Sequence, residues 1–185
     1  KPKKIGKLVW FHGASVGEIL SVIPLIEKLE KNKEITQILV TSNTLSSSKI
    51  LTNLKFKKTL HQFFPIDSNY HSKKFINYWK PEIAIFIDSE VWPNMIMNLK
   101  KKSVPLVLLN ARITKKSFKK WKKFISSAKN LFEKFDICLS SNIQSKKYLK
   151  VLGAKKIKYI GNLKFSQTEK NEVGLEKNLK NFLSS

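Results

Sequence analysis

A single cysteine, Cys138, leaves the chain without an internal disulfide, so a reducing compartment is the default. Histidine is sparse as well. His12, His61 and His71 are scattered without the i, i+4 or CxxC spacing of a zinc site, and no structural metal is expected. No stretch approaches the roughly 18 apolar residues of a membrane span. Repeats and low-complexity linkers are absent. Acidic residues are few, 13 Asp and Glu against 36 Lys and Arg, for a formal charge of +23. Such a surface attracts polyanions: nucleic acid, anionic lipid headgroups or phosphorylated substrates. Arg112 is the only arginine, so almost all of that charge is lysine.

Apolar residues make up 42% of the 185, ordinary for a folded protein and enough for one domain with a real core. Short β-branched or aromatic runs alternate with longer amphipathic stretches, the signature of βαβ units on a parallel sheet. The pattern predicts strands near 7–13, 36–42, 60–65, 83–88, 104–110, 136–141 and 156–161. Helices are predicted near 17–31, 45–54, 70–79, 92–102, 115–134 and 143–152. Ile83 to Ile87 and Leu106 to Leu109 are apolar throughout, as strands covered on both faces should be. The expected fold is therefore α/β, a doubly wound, mostly parallel Rossmann-like sheet. It should occupy residues 1–165. The polar segment 166–185 reads as an exit linker, closing with a short helix near 174–183. The chain opens on Lys1 rather than Met, so it is expected to be a piece of a longer protein, with room for a membrane anchor upstream.

Doubly wound sheets bind ligands at the carboxyl ends of their strands. Gly13-Ala14-Ser15-Val16-Gly17-Glu18 follows the first strand and runs straight into a helix. It is not a dinucleotide fingerprint, but its glycines allow a tight turn whose amides, with Ser15 and Gly17, suit an anion or hydroxyl. Glu18 has two readings: a first-turn acid that complements the helix dipole, or a general base aimed into the rim. Asp88-Ser89-Glu90 follows the fourth strand, just before Trp92-Pro93-Asn94, and Pro93 fits the first turn of a helix. Glu90 is again either a helix-terminal acid or a site residue. Trp92 either packs or forms a sugar platform, and Asn94 either caps or binds. Asn110-Ala111-Arg112 follows the fifth strand and Gly161-Asn162-Leu163-Lys164 the seventh. Arg112 and Lys164 are placed to bind phosphate or carboxylate, the alternative being a salt bridge to Glu18 or Glu90. His12 reads as a buried, hydrogen-bonded histidine and Cys138 as core.

Between Ser117 and Phe135, apolar residues from Phe118 through Trp121, Phe124, Ile125 and Ala128 to Phe132 recur at three- and four-residue spacing. Lysines 115, 116, 119, 120, 122, 123 and 129 crowd the remainder. This is a core helix with a solvated basic face, a docking surface for anionic lipid, or both.

Four strings together carry a family resemblance: Trp10 to Glu18, Asp88 to Asn94, Leu109 to Arg112, and Gly161 to Phe165. In order and spacing they resemble the signatures of the Kdo (3-deoxy-D-manno-octulosonic acid) transferases, along almost the whole chain. The resemblance implies the N-terminal, acceptor-binding half of a GT-B glycosyltransferase that moves Kdo from CMP-Kdo to the lipid A precursor (lipid IVA). It implies an inverting reaction without metal or cofactor, at the cytoplasmic face of the bacterial inner membrane. Glu18 matches the general base; Glu90 and Lys164 match positions that support the transition state. Ser15, Gly17, Trp92, Asn94, Asn110 and Arg112 are the expected substrate contacts. Asp88 stands where Glu is expected and Asn43 where Pro is expected. With the donor-binding half missing, the chain alone is expected to be inactive. The rival is a non-enzymatic basic α/β module binding nucleic acid or anionic lipid, but no RNP-type strand, zinc finger or helix-turn-helix signal supports a specific nucleic-acid partner.

Overall fold

The computed structural model describes residues 6–163. Strand and helix alternate from the start: β1 (Lys7–His12), α1 (Val16–Lys31), β2 (Ile35–Ser42), α2 (Leu45–Asn53), β3 (Thr59–Phe63), α3 (Asn69–Trp79) and β4 (Ile83–Ile87). The second half runs α4 (Pro93–Lys101), β5 (Leu106–Ala111), α5 (Lys115–Lys123), α6 (Ile125–Phe132), β6 (Ile137–Ser140), α7 (Ile143–Val151) and β7 (Ile157–Tyr159). The seven strands form one sheet in the order β3-β2-β1-β4-β5-β6-β7, and every neighbouring pair is parallel. Strand order reverses between β1 and β4. Outside their carboxyl ends lies the switch-point crevice where doubly wound folds bind ligands.

Alternation along each strand sends neighbouring side chains to opposite faces, and both faces are covered. In β1, Leu8 and Trp10 join the core beneath α3, α4, α6 and α7, while Val9 and Phe11 join the one beneath α1 and α2. This is why β4 is apolar at every position: all five of its residues are buried. Ser15 caps α1, with Glu18 in the first turn and Lys28 and Lys31 in the last, each on the side the helix dipole favours. Gly153 has φ +101°, and a Cβ there would lie 2.8 Å from the Lys129 Cα, so the turn after α7 admits only glycine without a shift.

One predicted element needs correction. The helix expected over 115–134 is two helices, α5 and α6, separated at Phe124 (φ −123°, ψ 51°). No glycine or proline marks the break; packing sets it. Phe118 stacks on Tyr148 of α7 with ring centroids 4.1 Å apart, and Trp121 meets Phe132 edge-on at 5.4 Å. Ala128, Leu131 and Phe132 of α6 enter the core, whereas α5 buries no residue completely and Phe124 is 70% exposed. The tail helix expected at 174–183 and the linker at 166–185 lie outside the described residues. No described helix is long and apolar enough to cross a membrane.

Candidate active site at the sheet switch point

After β1 the chain turns into α1 through Gly13, which is buried and donates its N–H to the Thr41 carbonyl at 3.1 Å. A Cβ on Gly13 would approach Glu18 Cβ to 3.1 Å and Ile87 Cδ1 to 3.2 Å, so the missing side chain lets the turn lie close to β4. Glu18 Oε2 accepts the Ala14 N–H at 2.7 Å, and Oε1 accepts the Ser15 hydroxyl at 2.9 Å. The acid thus folds back on its own turn, and Ser15 Oγ in return accepts the Glu18 N–H at 3.4 Å. Capping geometry does not make the carboxyl an ordinary one. Partial burial pushes its pKa up from 4.5, the bonds from Ser15 and Ala14 pull it back, and the negative charges of Glu90 and Asp88 add to the rise.

Those two acids come from the end of β4. Asp88 is buried and in the left-handed region at φ 58°, as is Asn110 at the end of β5, at φ 55°. Neither is glycine, and strain of this kind costs about 1–3 kcal/mol per residue and gathers at functional sites. Their side chains lock the two strand ends together, Asn110 Nδ2 donating to Asp88 Oδ1. Asn110 Oδ1 accepts the Leu163 N–H at 3.1 Å, and the Arg112 N–H donates to the Asp88 carbonyl at 3.2 Å. Asn110 therefore ties β4, β5 and the segment after β7 into one rim.

Glu90 Oε2 accepts the Trp92 indole N–H at 2.8 Å and lies 3.3 Å from Nε2 of the wholly buried His12. Trp92 also packs on Phe64, with ring centroids 5.2 Å apart, so its indole is half of an aromatic wall as well as a donor. His12 stacks on Phe64 at 3.9 Å, and desolvation lowers its pKa against the pull of Glu90. Asn94 faces another way. Its amide donates to the Asp67 carbonyl at 2.9 Å, and Asp67 returns the contact by accepting the N–H groups of Asn94 (3.2 Å) and Met95 (2.8 Å). Trp92 at the N-cap of α4 offers no side-chain cap, and Asp67 supplies it from the loop after β3. Nothing in the sequence near Asp67 pointed to this role, because its partners lie 27 and 28 residues further on.

Arg112 is exposed and forms no ion pair with a described carboxylate. With Thr114, Lys115, Asn142, Gln144 and Tyr148 it lines an open hollow of about 580 Å³ beyond β5 and β6. Thr114 and Asn142 are the N-caps of α5 and α7, so two helix N-termini and two cations face the same space. A hollow of about 530 Å³ between β3 and α3, lined by His61, Phe63 and Tyr78 among others, shares no residue with the rim. Among the described residues no group of three or more His, Cys, Asp or Glu side chains is arranged for a metal ion. Ser15, Gly17, Glu18, Glu90 and Trp92 thus gather at the switch point, and Asn110 and Arg112 continue the rim. Asn94 braces it from behind, and Lys164 lies outside the described residues.

A parallel sheet in this order, with its polar rim at the switch point, is the Rossmann-like half of a GT-B architecture. Solved structures agree at the level of fold. UDP-GlcNAc 2-epimerase from Neisseria meningitidis, bound to UDP-GlcNAc, superposes with a TM-score of 0.59 at 14% identity, over 96% of this chain and 54% of that one. The corresponding epimerase of Rickettsia bellii gives 0.57 at 12%, over 96% and 52%. Sequence narrows the class. The chain belongs to the 3-deoxy-D-manno-octulosonic-acid transferase (Kdo transferase) family, whose profile matches residues 1–167. It is 42% identical over 173 residues to the Kdo transferase of Rickettsia typhi, covering 92% of this chain and 36% of that protein. The Haemophilus influenzae transferase is 27% identical over 168 residues, with 89% and 39% covered. The chain therefore spans about two fifths or less of these relatives, and corresponds to their N-terminal domain.

Proposed function

We propose that this chain is the acceptor-binding half of an enzyme that transfers Kdo from CMP-Kdo to the lipid A precursor, lipid IVA, inverting the anomeric carbon without a metal. The observation that carries this is the Glu18 carboxyl at the switch point, whose affinity for a proton is raised by burial and by two neighbouring acids. An acceptor hydroxyl beside Glu18 loses its proton to the carboxylate as its oxygen bonds to the anomeric carbon of Kdo. The bond from that carbon to the phosphate oxygen breaks, and CMP leaves with the electron pair. A base whose pKa approaches the working pH does this better than an ordinary glutamate. Glu90 and Lys164 support the transition state, Lys164 by offsetting negative charge on the donor or leaving group. Ser15, Gly17, Trp92 and Asn110 shape the acceptor side, with Asn94 bracing it.

Arg112 binds acceptor phosphate or donor carboxylate, a reading supported by its exposed side chain, which has no described carboxylate as partner, in a hollow shared with Lys115. The enzyme works at the cytoplasmic face of the bacterial inner membrane. Six exposed lysines on α5 and the exposed Phe124 beside them support contact with that surface, each lysine adding about 1 kcal/mol against anionic lipid. The donor is held mainly by a second half, so the 185-residue chain alone is expected not to turn over.

The test is Kdo transfer from CMP-Kdo to lipid IVA by the complete protein, with Glu18→Gln compared with wild type. Gln keeps the size and much of the hydrogen bonding. Turnover should fall by ~100-fold or more while the thermal melt holds. Robust transfer by the variant would return Glu18 to a capping role, and none by wild type would end the reading.

A further inference from the structure

His12 has no exposed surface, so no substrate reaches it, yet it is polar, titratable and pointed at an acid of the rim. Its two ring nitrogens have different surroundings. Nε2 faces Glu90 Oε2 at 3.3 Å. Nδ1 lies 3.0 Å from the Thr41 hydroxyl and 3.3 Å from the Thr41 carbonyl. Phe64 stacks on the ring, Phe86 and Trp92 meet its edges, and Glu90 is the charged group that faces it.

The Thr41 end accommodates either neutral tautomer, since Nδ1–H could donate to the Thr41 carbonyl at 3.3 Å, and the Glu90 end decides between them. With the proton on Nδ1, a lone pair of Nε2 would face the carboxylate across 3.3 Å with nothing between them. With the proton on Nε2, the ring donates to Glu90 and Nδ1 accepts from Thr41. The Thr41 oxygen accepts the Trp10 indole N–H at 2.9 Å, and its hydrogen has two acceptors in reach, the Phe11 carbonyl at 3.3 Å and the nearer His12 Nδ1 at 3.0 Å. Glu90 Oε2 then takes two donors, His12 and Trp92, while no described residue bonds Oε1. The Nε2 contact is poorly aligned as it stands. Contacts of this kind often tighten only when substrate is bound.

We infer that His12 is a positioning residue: the chain Trp10–Thr41–His12 keeps a proton on Nε2, fixes Oε2 of Glu90, and leaves Oε1 directed to the reacting groups. The inference deepens the transferase reading of Glu90 and rests on it. Burial supports it by disfavouring the imidazolium, so the ring acts as a neutral donor.

The deciding measurement is NMR of the imidazole nitrogens in this chain. His12 is expected as the neutral Nε2–H tautomer, and Thr41→Val is expected to raise the Nδ1–H population. A wild-type His12 protonated on Nδ1, or on both nitrogens, would overturn the relay. In the complete protein, His12→Leu should lower kcat ~10–100-fold with KM nearly constant, the usual scale for losing an outer hydrogen-bond partner. His12→Gln, whose amide can donate to Glu90, should recover most of the loss. Wild-type turnover by a folded His12→Leu protein would also overturn it. If the complete protein transfers no Kdo, the function reading fails, and the tautomer still decides the relay.

Discussion

The rim depends on Asp67 from outside its own elements, and the cost of removing that side chain can be worked out. The carboxylate accepts the N–H of Met95 at 2.8 Å and that of Asn94 at 3.2 Å, two of the donors that the start of α4 leaves without intrahelical partners. A side-chain cap of this kind contributes about 1 kcal/mol, up to about 2. Its negative charge at the helix N-terminus adds about 0.3–1 kcal/mol. Asp67→Ala should therefore destabilise the chain by about 2 kcal/mol. At about 2–4 °C per kcal/mol for a chain of this size, the melting temperature should drop by about 4–8 °C. Asp67→Asn keeps one acceptor oxygen of the two and should lose about half as much. Urea titration and calorimetry on the three proteins measure this directly. If Asp67→Ala unfolds within about 0.5 kcal/mol of wild type, the cross-loop cap contributes nothing, and α4 must be held by its buried face alone.

Glu18→Gln also has a stability signature with a definite sign. Because the fold raises the Glu18 pKa, it favours the protonated acid, so the stabilising contribution is complete below the unfolded value near 4.5 and is lost as pH rises through the folded value. The unfolding free energy of wild type minus that of Glu18→Gln should fall as pH rises above the unfolded value and through the folded one; urea titrations showing a rise would contradict the burial argument. Cys138 is fully buried with its thiol pushed up to about 12, so a disulfide reagent at neutral pH should label it only as fast as the protein unfolds. Labelling at the rate of a free thiol would show that the core beneath α6 and α7 opens. Arg112→Ala should leave the melt within about 0.5 kcal/mol, as a surface change that breaks no described ion pair does. It should raise KM for the phosphorylated acceptor about tenfold or more, the worth of a charge-assisted bond, and an unchanged KM would remove Arg112 from the substrate.

The parallel sheet could be read in advance because β4 and β5 announce themselves. Ile83 to Ile87 has no polar side to offer solvent, and only a strand covered on both faces tolerates that. Glycine, serine and acid after β1, and acids before Pro93, likewise marked strand ends where a chain must turn into a helix. What stayed hidden depends on contacts distant in sequence. Phe124 continues the apolar periodicity without a breaker, and only the stacking of Phe118 on Tyr148 tells α5 from α6. Asp67 looks like a loop acid until the fold brings it to α4. His12 was legible as buried and hydrogen-bonded, but its contact with Glu90 requires the register that sets β1 beside β4. The strained backbones of Asp88 and Asn110 had no sequence signal, since neither is a glycine.

The charge distribution makes two scales of electrostatics act in opposite directions. The whole chain carries +23, yet Glu18, Asp88 and Glu90 meet at the switch point. In physiological salt the field of scattered surface lysines is screened beyond ~8 Å, so it concentrates polyanions near the protein without neutralising a partly buried group. Glu90 and Asp88 act on Glu18 at close range through protein, where screening is weak, and make it harder to ionise. Separation is what lets both operate. Were a lysine of α5 placed beside Glu18, the attraction would lower the carboxyl pKa and remove its basicity. The rim instead keeps Arg112 and Lys115 around a hollow of their own beyond β5 and β6, one strand past the acids. The proposed acceptor, carrying phosphate and a reactive hydroxyl, would match that division: its charge would be held at the basic end while its hydroxyl met the carboxyl proposed as the base.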